Sequence, residues 1–291
     1  MNYSLYCAVF WATTGIFVKS IDGIAISVIL LLRCLIAALF LFITYRLLKR
    51  KQLEQSPLPR FLTYGMVAVM LFYYITATYA FIFAPVALAT LLMSLSPCMA
   101  ILYRITTKEK IYHYEIIGFM LAFLGVFLYV YPSFHASRTA LFQLLFGCFL
   151  AFSAAVFKAV NSIMIWKNKE ILTTQHFDKI HLQTFLLGIV VMFILSLGDF
   201  NAMVISEQNV VLLLGLGILS TAIPSVLNSV ASIKITPVIH NIIGMSTPVF
   251  ASLFAYAFLG ESLTTWSIFS LLLSLLGVLM IIVFSALFAK R

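Results

Sequence analysis

The segment 24–46 reads IAISVILLLRCLIAALFLFITYR, and it decides the fold class. Before its last residue it contains one charged side chain, that of Arg33. A helix rises about 1.5 Å per residue, so a segment of this length spans the roughly 30 Å hydrocarbon core of a bilayer. The apolar character is continuous and does not alternate, which predicts a transmembrane helix and not a β-barrel strand.

Similar apolar runs fill the whole chain. Of its 291 residues, 63% are hydrophobic and only 9% are charged, whereas soluble proteins carry about a quarter of charged residues. This composition excludes a water-soluble enzyme. The runs lie at 3–19, 24–46, 61–83, 86–105, 113–131, 140–166, 180–198, 210–233, 238–259 and 263–288. We therefore predict an all-α membrane protein with ten transmembrane helices.

The loops between these runs carry their basic residues unequally. Fourteen Lys and Arg residues fall on one side of the predicted membrane, and two, Lys19 and Arg138, fall on the other. The fourteen lie in the segments 46–60, 104–110 and 167–179, at Lys234 and at the C-terminus. Because cytoplasmic loops hold the excess of positive charge, we expect a multi-pass protein of a bacterial inner (plasma) membrane with both termini cytoplasmic. The net charge of +9 then reflects topology, with the lipid bilayer as partner and no nucleic acid.

Landmarks recur along the chain at one spacing of 152 residues. The pairs are Ala84-Pro85-Val86 with Thr236-Pro237-Val238, Leu124-Gly125-Val126 with Leu276-Gly277-Val278, and Glu109 with Glu261. Five predicted helices per half is an odd number, so the two halves enter the membrane in opposite orientations. Such inverted repeats are typical of transporters whose site lies near the bilayer midplane. We predict two inverted five-helix repeats, residues 1–135 and 136–291.

Two segments carry a resemblance to a known family. Residues 10–19, FWATTGIFVK, followed by Arg33, resemble the opening of an EamA domain, and PVFASL at 248–253 with FLGE at 258–261 resembles its later part. The chain is similar over nearly its whole length to the two tandem EamA domains of the ten-span drug/metabolite transporter superfamily. This resemblance implies a carrier of amino acids or other small metabolites, often an exporter. Ala12 and Thr107-Lys108-Glu109 depart from the family's Gly and Leu-Gly-Glu.

Two cations fall near the middle of predicted spans. Arg33 lies ~15 Å along the second span and Lys158 ~13 Å from the cytoplasmic end of the sixth. An ionisable group at that depth costs about 2.5–3.5 kcal/mol and indicates function, while no Asp or Glu lies in the middle of a span. The segment Val156–Ala159 aligns with Val9–Ala12, so Trp11 and Lys158 are expected at similar depth. A substrate carboxylate or phosphate fits this charge; a structural clamp by Arg33, or snorkelling by Lys158, is the alternative.

Other polar and aromatic residues accompany these cations. Amides and an imidazole suit both ends of a zwitterion, and an aromatic-and-hydroxyl wall in the third span suits an apolar substrate side chain; interhelical hydrogen bonding and packing explain them equally well. The predicted substrate contacts are Lys158, Asn161, Trp11, Arg33, Tyr74, Thr78, Tyr79, Asn228, His240 and Asn241. Pro97 and Pro248 interrupt the fourth and ninth spans and are predicted gating residues, with static kinks as the alternative.

Several functions remain open at this point. We expect transport of a small zwitterionic or anionic metabolite, an amino acid or related compound, by alternating access. The alternative is an uptake carrier for a nucleotide-like or sulfonium metabolite such as S-adenosylmethionine, or for a lipid-linked sugar. A membrane enzyme is disfavoured because the histidines are scattered and the cysteines lie singly in apolar runs, so we expect no catalytic residue, metal or cofactor. Substrate identity, direction, proton coupling, and monomer or homodimer are undecided.

Overall fold

The computed structural model describes residues 2–47, 58–108, 111–135, 137–200, 206–234 and 237–288, and within these ranges the chain is helical and contains no strand. The helices are α1 Asn2–Ala12, α2 Thr14–Ser20, α3 Ile26–Leu47, α4 Arg60–Phe83, α5 Val86–Met93, α6 Ser96–Thr106, α7 His113–Val130, α8 Arg138–Lys167, α9 Thr174–Ser196, α10 Glu207–Gly217, α11 Ile223–Lys234, α12 Pro237–Gly244, α13 Ser246–Leu259 and α14 Thr265–Phe288. A 3-10 turn, Tyr131–His135, follows α7, and a π-helical turn, Ile218–Ala222, joins α10 to α11. Outside the described residues lie Glu109, Thr236, Lys49, Arg50, Lys51, Lys110, Lys290 and Arg291, on which parts of the repeat and charge predictions rest.

Eight segments of the described chain are long and apolar enough to cross a membrane. They coincide with the predicted runs two to eight and ten, which confirms a helical, multi-pass membrane protein. The first and ninth runs are divided in the structure, since α1 and α2 meet at Thr13 while α12 and α13 meet at Met245. The count of ten spans therefore stays a prediction, which requires each divided pair to cross the membrane as one unit.

Large apolar side chains on the outside of the bundle agree with a lipid environment. Phe61, Phe142 and Phe258 are 89%, 70% and 71% exposed, and many further Leu, Ile and Phe side chains share this outward position. A soluble monomer rarely exposes a large contiguous apolar surface. In a bilayer the same side chains face acyl chains, so they need no protein partner.

Prolines fix where two of the helices break. Helix α5 ends at Met93, and α6 begins three residues later with Pro97 in its first turn. Helix α12 ends at Gly244, and α13 follows with Pro248 in its first turn. Proline lacks an amide hydrogen and its ring collides with the carbonyl four residues earlier, which is that of Met93 or Gly244. The predicted interruptions are confirmed, whereas the gating role of the two prolines stays a prediction.

Helices α7 and α14, the predicted fifth and tenth spans, pack through small residues. A β-carbon added to Gly277 would lie 2.5 Å from the Gly118 carbonyl oxygen and 2.4 Å from the Ala122 nitrogen. One added to Gly125 would lie 2.6 Å from the Ser270 oxygen. Residue numbers rise along α7 as they fall along α14, so the two helices run antiparallel. Small residues allow this close backbone approach, as is common between membrane helices.

The contacts between α7 and α14 are symmetric with respect to the 152-residue repeat. Gly118 contacts Gly277, and Gly125 contacts Ser270. Ser270 is the repeat equivalent of Gly118, and Gly277 is the repeat equivalent of Gly125, so the second contact is the repeat copy of the first. This symmetry is expected of two halves related by a two-fold axis that lies between α7 and α14. The sequence repeat is thereby visible as a self-complementary helix pair within one chain.

A second pair of repeat positions shares an unusual backbone conformation. Gly260 ends α13 in the left-handed region with φ of 65°, and Lys108, 152 residues earlier, has φ of 56°. Glycine adopts this conformation without steric cost, but lysine does so at a penalty of about 1–2 kcal/mol. The departure from the family's glycine at Lys108 therefore changes the residue and keeps the turn.

We predict that Gly277→Leu destabilises the protein, because the added side chain collides with the backbone of α7 and overpacking costs about 1–3 kcal/mol or more. The melting temperature of the detergent-solubilised protein measures the effect. Gly198→Leu is the matched control, since apart from neighbours in the sequence no atom of the described residues lies within 4 Å of a β-carbon at that position. Equal melting temperatures for the two variants would contradict the close pairing of α7 with α14.

Candidate functional site

A cavity between the two halves brings most of the predicted site residues together. It has two compartments that share six lining residues: Trp11, Tyr73, Ser94, Lys158, Gly244 and Thr247. The Arg33 compartment adds Thr14, Arg33, Tyr74, Ala77, Phe81, Thr90 and Met93. The His240 compartment adds Ser4, Cys7, Ala8, Met70, Ser96, Pro97, Asn161, Ser162, Ile165, Asn228, Ser232, His240, Asn241 and Met245. Their volumes of about 40 Å³ and 90 Å³ hold several waters, at ~10–15 Å³ for each.

Lys158 lies at the junction of the two compartments. Its Nζ is 5.3 Å from the ring centroid of Trp11, a cation–π contact that joins α8 to α1. The predicted similar depth of Trp11 and Lys158 is thereby confirmed. Among the described residues no hydrogen bond or ion pair reaches Nζ, and no Asp or Glu lines either compartment. The ammonium group is therefore held by an aromatic face without a counter-charge.

The indole of Trp11 adds a second unused donor at the same place. Its Nε1 is buried and has no hydrogen-bond partner. A buried unpaired donor costs about 1–3 kcal/mol, so this group calls for a partner that the protein does not supply. The two residues that carry these donors, one of them charged, both line the junction of the compartments.

Arg33, in contrast, has hydrogen-bond acceptors within the protein. It is 2% exposed, its Nε donates to Thr221 Oγ1 at 2.6 Å, and its Nη1 donates to Thr78 Oγ1 at 2.6 Å. The guanidinium carbon also lies 5.1 Å from the ring centroid of Tyr74. Arg33 therefore clamps α3, α4 and the π-helical turn together through hydroxyl groups, while it still lines its compartment.

The two threonine hydroxyls are oriented to accept these bonds because each donates its own hydrogen bond to a backbone carbonyl. Thr78 Oγ1 donates to Tyr74 O at 2.6 Å, and Thr221 Oγ1 donates to Leu216 O at 2.7 Å. Thr221 reaches back five residues, which matches the wider spacing of the π-helical turn. Local backbone geometry thus fixes the position of both acceptors.

The His240 compartment contains a short polar chain. His240 Nε2 is 2.9 Å from Asn228 Oδ1, and His240 Nδ1 is 2.7 Å from Ser4 Oγ. A neutral imidazole satisfies both contacts by donating to the amide oxygen and accepting from the hydroxyl. Asn161 lies in the same compartment, and its Oδ1 is buried without a partner.

The structure also places some residues differently from the expected site. Tyr79 does not line either compartment and packs against a buried cluster that contains Leu30 and Met192. Thr78 holds Arg33 and does not line the cavity, and Pro248 does not line it either. Tyr79 therefore stays a predicted contact without support from its position. Lys158, Asn161, Trp11, Arg33, Tyr74, Asn228, His240 and Asn241 do line the cavity.

Sequence reasoning missed several lining residues. Ser94 and Thr247 line both compartments, and both are small hydroxyl residues within three positions of a mid-span proline. Proximity to a predicted helix break was the available signal, because such breaks bring backbone and short polar side chains to a cavity. Tyr73 also lines both compartments, and nothing in the sequence separated it from its neighbour Tyr74.

An ionic cluster lies away from the cavity, at one end of the bundle. Lys19 Nζ, in the last turn of α2, is 2.7 Å from Glu261 Oε1. Both carboxylate oxygens also accept from the Val86 amide, at 3.1 Å and 3.0 Å, at the start of α5. The left-handed Gly260 ends α13 and turns Glu261 toward these partners. We call these residues the Glu261 cluster; it ties α2, α5 and the end of α13 together.

We predict that Thr78→Val lowers the melting temperature in detergent more than Thr76→Val does. Each threonine donates to a carbonyl four residues earlier in α4, but only Thr78 accepts from Arg33, and an unpaired buried charged donor costs about 1–3 kcal/mol or more. Equal decreases for the two variants would show that the hydroxyl clamp on Arg33 contributes little to stability.

Comparison with known proteins agrees with this architecture. The model of the EamA-like transporter family matches residues 2–131 and 145–283, while the boundary between residues 135 and 136 stays a prediction. No curated protein matches the chain. Among solved structures, one described only as "Crystal structure of protein" is 15% identical with a TM-score of 0.69, covering 98% of this chain and 97% of its own, which is a likeness of fold alone. With two matched repeats across nearly its whole length, the chain belongs to the EamA-like transporter family, of the drug/metabolite transporter type.

Proposed function

We propose that this protein moves a small zwitterionic or anionic metabolite, an amino acid or related compound, across a bacterial inner membrane by alternating access. Transport itself follows from membership in a family of membrane transporters. Export is the direction that the resemblance to the family's carriers implies. The substrate class rests on the chemistry of the cavity.

The observation that carries this proposal is the Lys158 ammonium group. It lies at the junction of the two compartments, beside Trp11, without a carboxylate among the described residues around it. A charge at membrane depth that has no hydrogen bond and no counter-charge among the described residues is the group most suited to a ligand of opposite charge. A carboxylate bound there would accept from Lys158 Nζ and from Trp11 Nε1, and both groups would then be satisfied.

The broken helices support the same substrate class. Ser96 and Pro97 in the first turn of α6 line the cavity, as does Thr247 in the first turn of α13. The first amides of a helix have no intrahelical acceptor and carry partial positive charge. Half-helix N-termini at the midplane bind anionic substrate groups in other transporters. Two such ends add to the positive potential around Lys158.

The Glu261 cluster supports alternating access. Lys19 is one of the two basic residues on the poorly basic side, which we assign to the outer face, whereas the His240 compartment extends to Ser4 and Ser232 near helix ends on the basic side. We therefore assign this conformation to a state closed outward and reached from the cytoplasm. Opening outward requires α2, α5 and α13 to separate, and the Glu261 cluster to break.

We predict that Lys158→Met abolishes or sharply weakens transport without destabilising the protein. Methionine keeps an unbranched side chain against Trp11 and removes a buried unpaired charge, so the melting temperature in detergent should stay equal or rise. Counterflow of labelled amino acids in proteoliposomes measures transport. Lys167→Ala is the control on the same helix, because Lys167 contacts Tyr103 and lies outside the cavity.

Two results would count against this role of Lys158. Normal affinity in Lys158→Met would exclude the ammonium group as the main substrate contact. A large fall in melting temperature would instead assign Lys158 to the folded structure. Loss of transport in Lys167→Ala to the same extent would point to the general charge of α8.

We predict that Glu261→Gln exposes the cavity to the outer face. The reporter is Thr14→Cys in the Arg33 compartment, in a protein whose four native cysteines are replaced by alanine. Modification by a membrane-impermeant thiol reagent from outside should accelerate about tenfold or more, since charged hydrogen bonds contribute about 1.5–3 kcal/mol.

Glu207→Gln controls for the loss of an exposed carboxylate at the first turn of α10. Cysteines at Arg138 and Lys169 report the orientation and should react from opposite sides. An unchanged rate in Glu261→Gln would show that the Glu261 cluster does not limit outward opening.

A further inference from the structure

We infer that the substrate of the proposed site is a zwitterion whose ammonium group binds on the Asn161 side of Lys158, and that a simple anion is the poorer ligand. This inference rests on the proposed transport function and narrows its substrate class. It assigns a specific acceptor to the second charged group of the substrate.

Asn161 carries the principal observation. Its side chain lines the His240 compartment, is only 9% exposed, and has an Oδ1 atom without a hydrogen-bond partner. A buried acceptor left unpaired is costly, and a ligand that donates to it removes that cost. The protein therefore presents an unused acceptor in the same cavity as the unused donors Lys158 Nζ and Trp11 Nε1.

The spacing of Asn161 and Lys158 suits one small ligand. They are three residues apart on α8, so their side chains project from the same face of the helix, with β-carbons about 5–6 Å apart. The carboxylate and ammonium groups of an α-amino acid are attached to one carbon atom. Such a ligand reaches both side chains at once and keeps its ammonium group on the far side from the like-charged Lys158.

Two other polar residues of this compartment are already paired with His240. Asn228 Oδ1 contacts His240 Nε2, and Ser4 Oγ contacts His240 Nδ1. A neutral His240, hydrogen-bonded to Asn228 and Ser4, places no second cation beside the proposed ammonium site. Among the described residues, Asn161 is thus the buried amide of this compartment whose oxygen remains for a ligand, whereas Asn241 is exposed.

Helix ends supply the matching polarity. The C-terminal residues of α5 and α12, Met93 and Gly244, line the cavity, as do residues in the first turns of α6 and α13. Carbonyls at a helix C-terminus carry partial negative charge and favour a cation, whereas the N-terminal ends favour an anion. Both polarities within one cavity fit a zwitterion better than they fit an isolated carboxylate.

The test compares ligands that share a side chain. L-phenylalanine, 3-phenylpropionate without the amino group, and phenethylamine without the carboxylate are measured by ligand-induced shifts of the melting temperature in detergent and by competition in counterflow. The phenyl group suits the wall formed by Tyr73, Tyr74 and Phe81. L-leucine and L-serine with their des-amino acids repeat the comparison for other side chains.

In the unmodified protein, at least one amino acid should bind about tenfold or more tightly than either analogue, since each lost charged hydrogen bond is worth about that factor. In Asn161→Leu the preference for the amino acid over its des-amino analogue should fall to about twofold or less, while the preference for the amino acid over the amine is retained. Lys158→Met should lose the preference for the amino acid over the amine and keep the preference over the des-amino acid. Asn168→Leu, whose amide only caps the end of α8 through Met164 O, should keep both preferences.

The outcomes separate this inference from the proposed function. Des-amino acids that bind as tightly as the amino acids would overturn the zwitterion site and leave anion transport standing. An unchanged preference in Asn161→Leu would overturn the assignment of Asn161. Failure of every carboxylate to bind would overturn the proposed substrate class together with this inference.

Discussion

A guanidinium group at membrane depth finds no hydrogen-bond acceptor among lipid acyl chains, so the protein must supply acceptors for Arg33. It does so with the hydroxyls of Thr78 and Thr221, which belong to different halves of the chain. Both acceptors depend on the backbone, because each threonine is oriented by its own bond to a carbonyl. The contacts among α3, α4 and the π-helical turn are therefore mutually dependent, and the wall of the Arg33 compartment is built on them.

Arg33 and Lys158 illustrate two uses of a buried charge. Arginine has five donors in a fixed planar arrangement, which suits simultaneous contacts with several helices, and it stays charged. Lysine presents a compact ammonium group on a flexible stem, and here its neighbour is the Trp11 ring. The first cation donates to two hydroxyl groups in the absence of ligand, whereas the second is left with an aromatic face. This difference separates structural clamping from ligand binding more clearly than burial does.

The sequence was informative where a single residue imposes the geometry. Proline forces a helix to end four residues earlier, so the breaks near Met93 and Gly244 were predictable. A charge in an apolar run is costly, so Arg33 and Lys158 stood out. The break at Thr13 involves no proline; the Thr13 hydroxyl donates to Phe10 O, and such local bonds compete with regular helix. The position of Tyr79 could not be decided from the sequence, because an aromatic residue has the same sequence signature in a cavity wall and in a packed core.

Contacts between distant segments could not be predicted from the sequence. Glu261 was recognised as a repeat landmark, but nothing in its neighbourhood pointed to Lys19 or to the amide of Val86. The partner of Arg33 at Thr221 was hidden for a related reason, since hydroxyl residues are common in membrane helices and only the π-helical turn brings this one into range. Three-dimensional proximity, and not residue type, selects the functional hydroxyls and amides.

The two halves share a fold but differ in the residues that face the substrate. Positions that the sequence alignment of the halves predicts to be equivalent hold an aromatic ring at Trp11 and a cation at Lys158, whereas the left-handed turns at Lys108 and Gly260 keep the same backbone. This division follows from how an inverted repeat works. The halves exchange conformations when access changes from one face to the other, so helix ends and turns must be equivalent. The site binds one asymmetric ligand in both states, so its side chains must differ.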